Sequence, residues 1–126
     1  MREIKFRGIK KNRKESNWIY GYYNYEPKSD ISEIIYNDAG MSVIPESVGQ
    51  FTGLKDKNEV DIYEGDIVDV KLSFNGGFLP HSGVIMYMDR FGAFATKNQG
   101  GETLLHNHLL SSFEIIGNIY QNPELL

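Results

Sequence analysis

The residues best equipped for chemistry are two carboxylates, three imidazoles and three hydroxyls, and each set asks for a particular geometry. Glu64 and Asp66 stand two positions apart, the residue types of a general acid and base. Glycine lies between them at the entrance to a strand, and a tight turn uses the same three residues without catalysis, so the turn is the better reading. His106 and His108 would share one face of a strand as a metal pair, with His81 as a third ligand. Leucines at 104, 105, 109 and 110 and the lack of a recognised ligand spacing favour ordinary packing, and no metal is expected. Asp56-Lys57-Asn58 opens like a calcium-binding loop. It fails because Val60 takes the third liganding position and Asp61 the place of the obligatory glycine. Ser47, Ser82 and Ser111 lack a nucleophile-elbow context, and no Gly-rich loop leads into a helix as a phosphate cradle requires. The sequence therefore points to no catalytic residue, no metal, no cofactor and no enzyme.

Binding chemistry has more support. Seven of the thirteen Lys and Arg residues fall in Met1–Lys14 beside a single acid, giving +6 there and −10 over the other 112 residues. A basic end invites a nucleic-acid reading, in which Lys10, Lys11, Arg13 and Lys14 contact phosphate and the nearby Tyr20, Tyr22, Tyr23 and Tyr25 stack on bases. The competing reading is structural: Arg2, Lys5 and Arg7 alternate as on a strand, and Lys10–Lys14 suits a charged hairpin tip. Alternating aromatics more often pack a core or a subunit interface than a base. The acidic body repels phosphate and shifts the balance towards a protein partner.

The elements that must carry these residues read as strands. Ile4 and Phe6 share a pleat face, a polar turn follows, and Trp18, Tyr20 and Tyr22 share another, which predicts a hairpin. Ile31–Tyr36 suits a strand or one helical turn, and Asn37, Asp38 and Gly40 signal a turn. Residues 48–53 alternate, 54–58 supply turn chemistry, and Val60, Ile62 and Tyr63 lead to Glu64-Gly65-Asp66, where the chain changes direction. Val68, Val70 and Leu72 then face one side, as Val84, Met86 and Met88 do after the bend at Asn75-Gly76-Gly77. A turn at Asp89–Gly92 returns the chain through Ala93–Thr96. Thr103–Ser112 fits a short helix as well as a strand pair. Phe113, Ile115 and Ile119 make a last strand with Gly117 as a bulge or close approach, and Asn122-Pro123-Glu124 starts at most one helical turn. Short strands at close spacing argue for a sandwich or small barrel with no long helix. With 126 residues, 40% of them hydrophobic, a single domain over 1–126 is expected. The chain has no cysteine, no apolar run long enough to span a bilayer and no export signal, so a cytoplasmic protein that does not enter a membrane is expected.

Three blocks in order carry a family resemblance: Met1–Arg7 with Trp18-Ile19-Tyr20-Gly21; Val43 to Asn58 running into Ile62–Val68; and Phe113 to Leu126. Along essentially its whole length the chain resembles the YopX family of phage and prophage proteins. The resemblance implies a mainly β, somewhat irregular barrel-like fold of short antiparallel strands with little helix. It also implies a bacterial host and a homo-oligomeric state. It supplies no catalytic motif. Its motif positions here are Pro45, Glu46, Gly49, Gly53, Asp56, Gly65, Asp66, Gly117, Asn122 and Pro123, all read as structural. Asn58-Glu59 departs from the pattern, which has a glycine after Asp-Lys-Asn; Asn58 tolerates the left-handed region and would preserve the turn. The expected function is that of a non-enzymatic accessory protein, a homo-oligomer that binds a host or phage protein, with nucleic acid as the alternative partner.

Overall fold

The computed structural model describes residues 3–11, 18–74, 77–99, 101–105 and 113–125. The chain divides into two compact units, Met1–Phe51 and Thr52–Leu126. Its strands form two antiparallel sheets, and the described residues contain no α-helix, only single 3-10 turns at Pro45–Ser47 and Pro123–Leu125.

In the first unit, β1 (Phe6–Ile9) pairs with β2 (Trp18–Glu26), Phe6 opposite Gly21 and Ile9 opposite Trp18. This is the hairpin that the alternating Ile4, Phe6, Trp18 and Tyr20 predict. β3 (Ile31–Tyr36) pairs with β2, and β4 (Ala39–Ser42) with β3. The β3–β4 turn has Asn37 at φ 49° and Asp38 at φ 63° between the paired Tyr36 and Ala39. Two adjacent left-handed residues match the strand twist, which is why Asn and Asp serve here. The start of β5 (Gly49–Lys55) lies along β1, Arg7 opposite Gly49. Ile9, Ile34, Val43 and Phe51 are buried. The Arg7 side chain is buried as well, its guanidinium 3.9 Å from the centre of the Trp18 ring.

A closed barrel is not what forms. The end of β1 meets the chain just after β4 in one isolated bridge, Lys10 to Val43, and neither sheet closes. Closure needs a continuous, staggered ladder, and a single bridge does not make one.

In the second unit, β6 (Asp61–Tyr63) follows the turn after β5 and lies beside that strand. A five-stranded sheet contains β7 (Asp66–Phe74), β8 (Gly77–Met88), β9 (Ala93–Asn98), β10 (Gly101–Leu104) and β11 (Phe113–Asn118) in the order β10-β9-β8-β7-β11. Ile62, Val68, Ile85 and Phe113 form its core, with Leu105 and Ile115 packed against it. The alternation puts Val84, Met86 and Met88 on one face; Val84 is buried there and Met86 exposed, while Ile85, on the opposite face, is fully buried. Val84 and Ile85 are both buried because this stretch of β8 is covered on two faces, so period two alone could not choose between them. Thr103 and Leu104 are strand, which settles the start of the ambiguous stretch; residues 106–112 lie outside the described residues.

Candidate functional site

Six motif positions of the second unit, Asp56, Gly65, Asp66, Gly117, Asn122 and Pro123, lie on or beside β11. Asp56, 5% exposed, accepts the N–H groups of Asn58 at 2.8 Å and Val60 at 3.0 Å through Oδ1, which closes the 56–60 turn. Its Oδ2 accepts the Ile115 N–H at 3.1 Å, fifty-nine positions on, while the Lys57 N–H donates to the Phe113 carbonyl. One carboxylate and one amide thus occupy the edge of β11 that faces away from β7. A strand edge left with bare N–H and C=O groups is a template for unwanted pairing, and this turn covers it. The left-handed residue of the turn is Glu59, at φ 65°, and not Asn58. The strain therefore falls on the position where the family pattern has glycine, and Asn58 does not relieve it.

Glu64-Gly65-Asp66 is a turn, with Gly65 at φ 91° and Asp66 Oδ2 accepting the Tyr63 N–H at 2.8 Å. A side chain at Gly65 would be strained and would stand 2.9 Å from the Tyr120 ring. Asp66 is 2% exposed. The Gly65 carbonyl accepts the Ile119 N–H, and the register of β11 slips between Ile115 and Gly117, as the glycine predicted. A Cβ on Gly117 would lie 2.7 Å from Asn122 Oδ1, the atom that accepts the Asn118 N–H. Asn118 Oδ1 in turn accepts the Tyr120 and Gln121 N–H groups. Pro123 opens the single 3-10 turn that follows.

The remaining motif positions belong to β5 and the segment before it. Pro45 and Glu46 are exposed on the 3-10 turn, Gly49 is buried opposite Arg7, and Gly53 takes φ 87° within β5. Sequence reasoning weighed Ser47 in this block only as a nucleophile and missed its structural role. It is 1% exposed; its Oγ accepts the Ile9 N–H at 2.8 Å and donates to the Ile44 carbonyl at 2.6 Å, pinning the turn to β1. No local pattern announces a contact across thirty-eight residues.

Of the basic candidates, Lys10 and Lys11 sit side by side at the end of β1, tied by backbone to Val43 and Ser42. Arg13 and Lys14, like His106 and His108, lie outside the described residues. Among the described residues no three of His, Cys, Asp and Glu gather as a metal site would need.

The tyrosines behave differently from the motif carboxylates. Tyr20, Tyr22, Tyr23 and Tyr25 on β2 and Tyr36 on β3 are 40–70% exposed, Tyr22 the most. Tyr25 donates to Asp30 Oδ1 at 2.6 Å, and that hydrogen bond holds its phenol above the ordinary tyrosine range. Gly21, Tyr22, Ile35, Tyr36, Asn37 and Asp38 line a cleft of about 370 Å³ at this end of the sheet.

Together these features define an all-β protein of short strands, in which separated blocks of sequence lock turns onto strand edges and an aromatic ribbon faces outward. The YopX protein family model matches residues 3–126, and the chain belongs to that family. In fold it is similar to the crystal structure of protein EF1440 from Enterococcus faecalis, at 24% identity and a TM-score of 0.62, covering 98% of each chain. Nothing among curated proteins matches. No helix among the described residues is long and apolar enough to cross a membrane.

Proposed function

We propose that this chain is a phage- or prophage-encoded accessory protein that acts in the host cytoplasm without catalysis, as a homo-oligomer that binds another protein. The observation that supports this reading is the contrast in how side chains are used. The buried motif carboxylates, Asp56 and Asp66, accept hydrogen bonds from backbone amides, whereas five tyrosines of β2 and β3 face solvent. Tyrosine offers a large, rigid contact area with a polar tip, and it is enriched where proteins meet. The −10 charge beyond the basic end disfavours phosphate.

The test has two parts. Light scattering at micromolar concentration should give a mass above the 14.4 kDa of one chain; a monomeric mass contradicts the oligomer. Tagged protein should retain a specific protein from nuclease-treated host lysate and bind DNA or RNA weakly. If nucleic acid binds tightly, with an affinity that falls steeply with salt and is lost when Lys10, Lys11, Arg13 and Lys14 become alanine, the alternative partner is the correct one.

A further inference from the structure

Each edge of β2 is paired along only part of its length. β1 lies along Trp18–Gly21 with Phe6 opposite Gly21, and β3 lies along Tyr22–Glu26 on the other edge. The residue before β1 is bonded to β5, where the Lys5 carbonyl accepts the Phe51 N–H at 2.8 Å. Among the described residues, no strand pairs with the β1-side edge of Tyr22–Glu26.

Register fixes which groups that edge presents, because the backbone groups of an antiparallel strand point alternately to one neighbour and the other. The Ser32 carbonyl accepts the Val43 N–H, so Ser32 and Ile34 face the β4 side, and Ile31, Glu33 and Ile35 face β2. Their partners Glu26, Asn24 and Tyr22 therefore spend their backbone groups on β3. Tyr23 and Tyr25 point theirs the other way, out of the open edge.

An open edge is commonly blunted by lysine, proline, a bulge or a covering segment. The chain follows that rule at β11, whose edge the 56–60 turn occupies. Tyr22–Glu26 contains neither lysine nor proline, and it is complementary to itself. Laid antiparallel on a second copy about a two-fold axis at Asn24, it sets Tyr23 opposite Tyr25 of that copy and Tyr22 opposite Glu26. No like charges meet, and the outward N–H and C=O groups of Tyr23 find those of Tyr25. A shift of one residue would set an outward residue against one that faces β3. The window is bounded by β1 at Gly21 and by Pro27, so this register fills it in both copies.

We propose that Tyr22–Glu26 is the edge by which two copies of this chain join, as an isologous antiparallel pair that makes their sheets continuous. The assignment rests on the homo-oligomer reading and names the surface within it.

Light scattering of the full chain at micromolar concentration should give two chains or an even multiple, and Tyr25→Pro should give half that mass. Proline removes an outward N–H and leaves the β3 ladder in place. Dispersion of the amide shifts of the 15N-labelled variant reports that it is folded. In the parent, the Tyr23 and Tyr25 amides should exchange slowly at high concentration and fast on dilution, whereas that of Asn24, bonded to β3, should stay slow at both. Two double variants test the register and decide the matter if proline disturbs the fold. Tyr23→Lys/Tyr25→Glu sets opposite charges across the axis and should keep the parent mass; Tyr23→Lys/Tyr25→Lys sets like charges there and should halve it. An odd number of chains, a parent mass that survives the double lysine variant, or Tyr23 and Tyr25 amides that exchange fast at every concentration overturns the edge and leaves the homo-oligomer reading standing. A monomeric parent overturns both.

Discussion

The two units of this chain use their polar and aromatic side chains in opposite ways. In 52–126 the side chains of Asp56, Asp66, Asn118 and Asn122 turn inward and accept backbone N–H groups, so that turns and a strand edge are held by groups that otherwise look reactive. In 1–51 one buried hydroxyl, Ser47, does comparable work, while Tyr20, Tyr22, Tyr23, Tyr25 and Tyr36 face solvent. A buried acceptor that meets three amides is expensive to remove, because each amide left dry loses its partner. An exposed ring is cheap to remove unless something binds it. On the proposed protein-binding reading, stability and recognition draw on different residues, and substitution should separate them.

The largest effect is expected at Asp56. Asp56→Ala leaves the Asn58, Val60 and Ile115 amides without their acceptor and should cost about 2–4 kcal/mol, read as the shift in a urea unfolding midpoint. Asp56→Asn retains an acceptor oxygen and should cost less. Equal costs would mean that charge, and not the hydrogen-bond pattern, carries the effect.

In the other unit the matching change is Ser47→Ala, which strands the buried Ile9 N–H and should cost about 1–2 kcal/mol in the same assay. A neutral outcome would show that the 3-10 turn is held to β1 by packing alone.

Glu59→Gly should act in the opposite direction. At φ 65° a side chain is strained, and glycine removes that strain at some entropic cost in the unfolded chain, for a net gain of about 0.5–1 kcal/mol. Asn58→Gly should bring no such gain, because Asn58 is not among the left-handed residues. A gain at 58 and none at 59 would place the strain elsewhere.

The sequence makes some of this legible and hides the rest, and the division follows distance along the chain. Gly65 beside Asp66, and Asn37 beside Asp38, announce turns because the backbone there needs left-handed residues and short side chains. The bulge at Gly117 follows from a glycine inside a strand pattern. The hairpin of β1 and β2 follows from alternation. Ser47 with Ile9 and Asp56 with Ile115 do not follow, since neither spacing nor periodicity encodes a partner thirty-eight or fifty-nine residues away. Period two puts Val84 and Met86 on one face without saying which face is covered, and β8 is buried on both faces at Val84 and Ile85 while Met86 is exposed. The expected all-β fold of short antiparallel strands forms, but it stops short of a closed barrel, with one bridge between Lys10 and Val43 where closure needs a ladder. The tyrosines could be read as aromatic alternation, but their exposure depends on what the rest of the sheet covers.

The measurement that bears most directly on the separation of stability from recognition is a paired assay of the Tyr22→Ser/Tyr36→Ser double variant. Both rings are largely exposed, so its unfolding free energy should stay within about 0.5 kcal/mol of the parent chain at each position. Its capture of the host protein retained by the parent should be lost. A double variant that unfolds more easily by several kcal/mol, or one that is equally stable and retains the same protein in the same amount, would contradict the account.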